Sequence, residues 1–124
     1  MSGDRGSAAV ELGLVLPLVL VAALAVLQLG LLGKDALLVS HAAREGAREA
    51  SVTADEGRVR DAAVRGGGLD EDRAEISIER EGSLGDPVTV EVRYRAPLLV
   101  PYLGWLLPEE VTLRSAATMR QETP

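Results

Sequence analysis

The sequence contains no cysteine and only one histidine, His41. Without cysteine the chain can form neither a disulfide framework nor a thiolate metal site. His41 has no obvious metal ligands beside it, and its helical neighbours predict an ordinary surface position. No nucleophile motif and no nucleotide-binding fingerprint is present. These absences argue against an enzyme, so we expect no catalytic residue, no metal, no cofactor and no small-molecule substrate.

Basic residues are outnumbered, with 13 Lys and Arg against 19 Asp and Glu, which gives a formal net charge of -6. Proteins that bind nucleic acids need a basic face, so we expect no nucleic acid as a partner. The charge is also unevenly distributed. Residues 12–33 carry none, whereas the chain from Lys34 onward is strongly charged.

The uncharged run at residues 12–33 is long enough to cross a membrane. A helix of this length covers roughly 33 Å, against a hydrocarbon core of about 30 Å. A buried core helix is the alternative, but the remaining chain could hardly surround so apolar a cylinder. Within the run, Pro17 removes the backbone hydrogen bond that the carbonyl of Gly13 would accept, which favours a helix kink there.

A secretory signal peptide is a second alternative for the same run. The sequence Ala-Leu-Ala at residues 23–25 resembles a small-residue cleavage site, and cleavage there would leave Val26 at the N-terminus. Against this, the only basic residue before the run is Arg5, which stands beside Asp4, and the carboxylate of Glu11 is badly placed. A plain single-span protein would instead keep Met1 or Ser2.

The carboxylate of Glu11 lies at the edge of the apolar run, which is an unfavourable position for a charge. A charged side chain at a bilayer centre costs roughly 2.5 to 3.5 kcal/mol or more, and it usually has a partner or a role. The sequence GSAAVE at residues 6–11, followed by an apolar helix, resembles the type IV prepilin processing site. The resemblance implies cleavage after Gly6 by a prepilin peptidase, so that Ser7 becomes the N-terminus. Major pilins commonly carry phenylalanine at the position of Ser7.

Three stretches extend the resemblance: RGSAAVELGLVLPLVL, HAAREGAREAS and GDPVTVEVRYRAP. Together they resemble the TadE-like pseudopilins of the tight-adherence (Flp) pilus system. The resemblance implies a structural component of a type IV pilus assembly or secretion system, with the cell membrane, a prepilin peptidase and other pilins as partners. It also implies that Glu11 makes an assembly contact with the terminal amine of a neighbouring subunit.

The resemblance further implies three segments: a leader at residues 1–6, a transmembrane helix at 7–33, and an extracytoplasmic α+β domain at 34–124. The N-terminus would then be cytoplasmic. The positive-inside rule favours the opposite orientation, because Lys34, Arg44 and Arg48 follow the run and only Arg5 precedes it. We follow the resemblance, since the processing site requires a cytosolic leader.

Residues 34–51 contain no strong helix breaker, so the sequence predicts that the membrane helix continues beyond the run. Small residues recur there at three- and four-residue spacing and form one face. The members of this face are Ala36, Val39, Ala43, Gly46 or Ala47, and Ala50. It either packs on the chain's own sheet or faces a neighbouring subunit. On the other side, Glu45 and Arg48 are spaced to form an ion pair.

The remaining sequence predicts a short second helix and three antiparallel strands. Asp55 and Glu56 suit a helix start, and Arg65 followed by the glycines at 66–68 suits a helix end with a flexible stop. Apolar residues alternate with polar ones around residues 74–79, 88–95 and, more weakly, 111–119. The turn-rich EGSLGDP joins the first two strands as a hairpin. The whole predicts a pilin-like α+β fold in which the helices cover one face of the sheet.

The stretch APLLVPYLGWLLPEE at residues 96–110 is too apolar for an ordinary loop, and its prolines exclude one regular helix. It contains the only tryptophan, Trp105, and the tyrosine Tyr102. One interpretation is that it folds back to complete the core. The other is that Tyr102 and Trp105 form a contact surface for a partner or for the membrane-water interface.

Overall fold

The structure is a computed structural model that describes residues 2–98 and 110–122, and only the backbone of Ser2. The elements are, in chain order, α1 (Ser2–Val52), α2 (Glu56–Gly67), a 3₁₀ turn (Glu71–Arg73), β1 (Ala74–Arg80), β2 (Pro87–Pro97) and β3 (Glu110–Arg120). The strands form one antiparallel sheet in the order β1–β2–β3. This confirms the predicted α+β architecture with a long apolar helix, a short second helix and three strands.

The chain divides into two compact units, Met1–Leu31 and Leu32–Pro124. The first unit consists of the apolar part of α1, whose valines and leucines are exposed. The second unit contains the rest of α1, all the other elements and the hydrophobic core. The segment boundaries 1–6, 7–33 and 34–124 stay predictions.

The core of the second unit is centred on β2, the middle strand. Its alternate side chains are buried on one face of the sheet, as the period-two pattern predicts. They are Val88, Val90, Val92, Tyr94 and Ala96. Burying one valine side chain stabilises a fold by roughly 1.5 to 3 kcal/mol, so these side chains are a main contribution to its stability. The apolar side of β3 is only half buried, and Met119 is 37% exposed.

The hairpin between β1 and β2 forms as predicted, with Ala74 opposite Tyr94 and Arg80 opposite Val88. Its turn contains Gly82 and Gly85 with φ angles of 63° and 91°, which only glycine adopts easily. The Ser83 N–H donates to the Asp86 carboxylate at 2.9 Å. The turn is also joined to the end of β3, because the Gly85 N–H donates to the carbonyl of Gln121 at 2.9 Å.

Helix α2 begins and ends where the sequence predicts. The Asp55 side chain accepts a hydrogen bond from the Gly57 N–H at 3.0 Å, and Gly68 closes the helix with a φ of 59°. The prediction of a flexible glycine stop is incomplete, because Gly66 and Gly67 lie against α1. A Cβ atom on Gly67 would stand 2.7 Å from the carbonyl oxygen of Leu38. These two glycines therefore allow α1 and α2 to approach closely.

Candidate functional site

The residues of the predicted processing site lie on exposed helical backbone. Gly6, Ser7 and Glu11 all belong to α1, and a Cβ atom on Gly6 would have nothing within 4 Å. Ser7 and Glu11 are four residues apart, so they lie on the same side of the helix about one turn apart. Glu11 has no ion pair within 4 Å among the described residues. The geometry thus leaves both Glu11 and the preceding turn accessible.

The apolar run is the part of α1 that can cross a membrane. By length and composition α1 is the one helix suited to this among the described residues, and none of its most apolar window is buried. Pro17 lies inside this helix, and Gly13 one turn earlier is exposed. The kink at Gly13 and Pro17 stays a prediction.

The small-sided face beyond the run packs on the chain's own sheet. Buried residues of α1 join the central strand in one core cluster. They are Val39, Ala42, Ala43, Ala47 and Ala50, with Gly46 buried beside them. A Cβ atom on Gly46 would stand 2.9 Å from Cγ1 of Val90. This packing favours the intramolecular interpretation of the face.

Two details of the predicted α1 surface are wrong. Ala36 is exposed rather than part of the small-sided face, because the buried stripe begins at Val39. Glu45 and Arg48 do not form an ion pair. Instead, Glu45 lies over Gly66 of α2, and a neighbouring carboxylate, Glu49, binds Arg58 at 2.9 Å. The contact with α2 therefore determines where these side chains lie.

An arginine at the end of β1 binds the C-terminal end of α1, a contact that no local sequence pattern predicts. The guanidinium of Arg80 donates to the carbonyl oxygen of Ala50 at 2.9 Å and to that of Thr53 at 2.7 Å. It also donates to the side-chain oxygen of Gln121 at 3.3 Å. The last turn of α1 contains no basic residue of its own. Arg80 therefore supplies the positive charge that a helix C-terminus favours.

Arginines are concentrated on the face of the sheet that points away from the helices. Arg93 and Arg114 stand directly opposite each other across β2 and β3, and Arg95 follows two residues later on the same face. Like charges in directly opposite positions are unfavourable. A single carboxylate, Glu91, relieves the repulsion, since its Oε1 lies 2.7 Å from Nε of Arg93 and 3.2 Å from Nε of Arg114.

The electrostatics of this face follow from the same contacts. The hydrogen bond from Arg93 lowers the pKa of Glu91 from 4.5. Desolvation opposes this shift, and the charge of Arg114 supports it. The hydrogen bond to Glu91 in turn raises the pKa of Arg93. Beside them lies a cleft of about 330 Å³, and its lining includes Arg73, Glu75, Arg95 and Thr112. Most of the lining side chains are polar or charged, which suits contact with a polar surface.

His41 is exposed on α1, as predicted. Among residues 2–98 and 110–122, no group of three or more histidines and carboxylates could hold a metal ion. Tyr102 and Trp105, the predicted partner surface, lie outside the described residues. So does most of the apolar stretch at 96–110 to which they belong.

Comparison with known proteins gives one finding. Residues 6–48 match the model of a family described as TadE-like protein. The matched segment begins at Gly6, contains Glu11 and the apolar run, and ends at Arg48. Over this segment the chain is similar to that family, which confirms the resemblance there. No curated protein and no solved structure matches the chain significantly.

Proposed function

We propose that this protein is a pseudopilin-like structural component of a tight-adherence (Flp) type IV pilus assembly or secretion system. The TadE-like match over residues 6–48 is the observation that carries the proposal. The exposed apolar part of α1 supports a membrane anchor, and the pilin-like α+β domain supports a structural role. We place the leader at residues 1–6, the transmembrane helix at 7–33 and the extracytoplasmic domain at 34–124.

In this proposal a prepilin peptidase cleaves after Gly6 on the cytoplasmic side. The exposure of Gly6 and Ser7, within the first two turns of α1, supports this, because residues near the end of a helix open easily. Cleavage frees the amine of Ser7, and Glu11 then meets the amine of a neighbouring pilin or pseudopilin. Gly13 and Pro17 supply a kink in the anchor. Tyr102 and Trp105 supply a further partner surface.

The mature N-terminus tests the proposal. Mass spectrometry of the membrane fraction is expected to find a chain that begins at Ser7. The variant Gly6→Leu should insert normally but accumulate as the full-length precursor, whereas Gly3→Leu, in the leader, should be processed normally. Retention of residues 1–6 in the wild-type protein would remove the main support for the proposal.

The same measurement separates the alternative function, an acidic binding domain that is anchored by one span or released by a signal peptidase. An anchored domain would keep Met1 or Ser2, and a released one would begin at Val26. The observation that favours a binding role is the acidic net charge of -6.

The proposed orientation places the second unit outside the cytoplasm. The chain has no native cysteine, so a single introduced cysteine reports on its location without background. Ala54→Cys, in the exposed connection between α1 and α2, should react with a membrane-impermeant maleimide while the inner membrane is intact. Reaction only after that membrane is opened would reverse the orientation.

A further inference from the structure

The sheet carries opposite charges at its two ends. The arginine face consists of Arg93, Arg95 and Arg114, on the outer side of the sheet. The acidic turn lies at the other end of the strands and consists of Glu79, Glu81, Asp86 and Glu122. Glu79, Glu81 and Glu122 are exposed and form no ion pair within 4 Å among the described residues.

The arginine face has more positive charge than its own carboxylates satisfy. Arg93 and Arg114 share the carboxylate of Glu91, and Glu75 stands opposite Arg93 in β1 but forms no ion pair within 4 Å among the described residues. Arg95 donates to the backbone carbonyl of Asp72 at 2.9 Å. The side chains of Arg93 and Arg114 are 49% and 64% exposed, respectively. The fold does not require them, because they lie on the face opposite the core. A directly opposed arginine pair is therefore better explained by an external acidic partner.

We propose that the arginine face binds the acidic turn of a second copy of this protein, in a staggered head-to-tail contact. Charge complementarity selects this occupant, since arginines predominate on one surface and carboxylates on the other. Among the described residues, neither Arg95 nor the exposed glutamates of the acidic turn form an ion pair within 4 Å. The inference rests on the proposed function, because a filament or pseudopilus is what would bring copies together in one direction.

The positions of the two surfaces determine the geometry of the contact. The two surfaces lie at opposite ends of the sheet. At the arginine face, Arg73 binds the carbonyl of Arg95 in β2 and the carboxylate of Glu110 in β3. At the acidic turn, Arg80 binds the end of α1. Between Arg114 and Arg120 lie six residue steps, or roughly 20 Å at about 3.3 Å per residue. Two copies whose strands run parallel must therefore be displaced along the strands by about this distance.

Cysteine crosslinking of the full chain tests the contact. Thr112→Cys stands across the strands from Arg95, and Ser83→Cys lies in the acidic turn. Two differently tagged copies carrying these substitutions are expressed together with the assembly machinery and treated with a short bismaleimide. A mixed dimer is expected. The matched control pairs Thr112→Cys with Ala54→Cys, which lies near the same end of the domain but in the α1–α2 connection.

Charge reversal then tests the chemistry. Arg114→Glu in the Thr112→Cys copy should lower the mixed-dimer yield by roughly threefold to tenfold, since each exposed ion pair contributes up to about 1 kcal/mol. Adding Glu81→Lys and Glu122→Lys to the other copy should restore it. Added salt should lower the yield of the unsubstituted pair. Thermal unfolding of each variant checks that the domain remains folded.

Each other outcome overturns the inference. A mixed pair that crosslinks no better than the control, or that ignores charge reversal, excludes this contact. Crosslinking of Thr112→Cys to a different protein excludes a second copy as the occupant. If the chains in these cells begin at Ser7 and pili form, such failures leave the proposed function intact. If residues 1–6 are retained, the proposed function fails as well.

Discussion

Glycine and alanine determine how closely α1 approaches the rest of the second unit. A Cβ atom on Gly46 would stand 2.9 Å from Cγ1 of Val90 and 3.1 Å from Cβ of Ala63. Val90 is fully buried and β-branched, so it has little freedom to move away. The α1 side of the core is thus built mainly from small side chains at short distances.

Replacing Gly46 by alanine is expected to destabilise the protein. Overpacking costs about 1 to 3 kcal/mol, which outweighs the gain of about 1 kcal/mol in helix propensity. Gly67→Ala should cost more, because its Cβ atom would meet the backbone carbonyl of Leu38. Unfolding of the purified chain in detergent measures both. Gly33→Ala, where a Cβ atom meets nothing within 4 Å, is the control and should be neutral or stabilising.

Arg80 offers a second test at the scale of single residues. Arg80→Met keeps the apolar stem but leaves the carbonyl oxygens of Ala50 and Thr53 without their charged donor. We expect a loss of about 1 to 3 kcal/mol in the free energy of unfolding. Arg120→Met, an exposed arginine at the end of β3, should change stability by no more than about 0.5 kcal/mol. Equal effects of the two substitutions would show that the contact with α1 contributes nothing.

At the scale of elements, the sequence predicts what depends on local pattern. The alternation in β2, the caps of α2 and the glycine-rich hairpin are all read from neighbouring residues, and the structure confirms them. The Arg80 contact joins residues about 30 positions apart, and the displacement of Glu45 over Gly66 depends on α2. Neither has a local signature. Apart from the TadE-like match, the processing and assembly residues stay predictions, because they act on molecules outside the chain.

The ion pairs of Glu91 on the outer face of the sheet predict how stability depends on pH. Because the pKa of Glu91 is lower in the folded protein, its ionised form stabilises the fold above the unfolded value, near pH 4.5. This stabilisation is lost as the pH falls from the unfolded-state pKa of Glu91 through its lower folded-state pKa. NMR titration should find the pKa of Glu91 below 4.5. Arg93→Gln should raise it, and by more than Arg114→Gln does, because the hydrogen bond from Arg93 is the main cause.

At the scale of the whole molecule, the proposed assembly contact of Glu11 depends on where in the membrane the contact forms. Opposite charges about 4 Å apart interact by about 1 kcal/mol in water but by about 4 kcal/mol at an effective dielectric of 20. An apolar setting therefore makes a contact between Glu11 and a neighbouring amine significant, and it penalises a subunit docked out of register. In the proposed membrane placement, the carboxylate of a subunit that is not yet assembled reaches the headgroups, so we expect insertion to need no partner.

The variant Glu11→Gln should therefore insert normally and be largely processed, while crosslinking to other pilins weakens and piliation is lost. Immunoblots of membranes and electron microscopy of cells measure these outcomes. Glu56→Gln, an exposed carboxylate at the start of α2, is the control and should assemble normally. Normal pili in the Glu11→Gln strain would show that the charge is dispensable and that Glu11 merely flanks the anchor.

The bonds at the end of α1 also determine how the second unit responds to mechanical tension. Arg80 at the end of β1 holds two carbonyls there, and the Glu122 N–H, just after β3, donates to the carbonyl of Ser51 at 2.7 Å. A pull on the end of α1 is thus delivered to both edge strands at once. The load is shared between the two strands that flank β2, so that neither has to carry it alone.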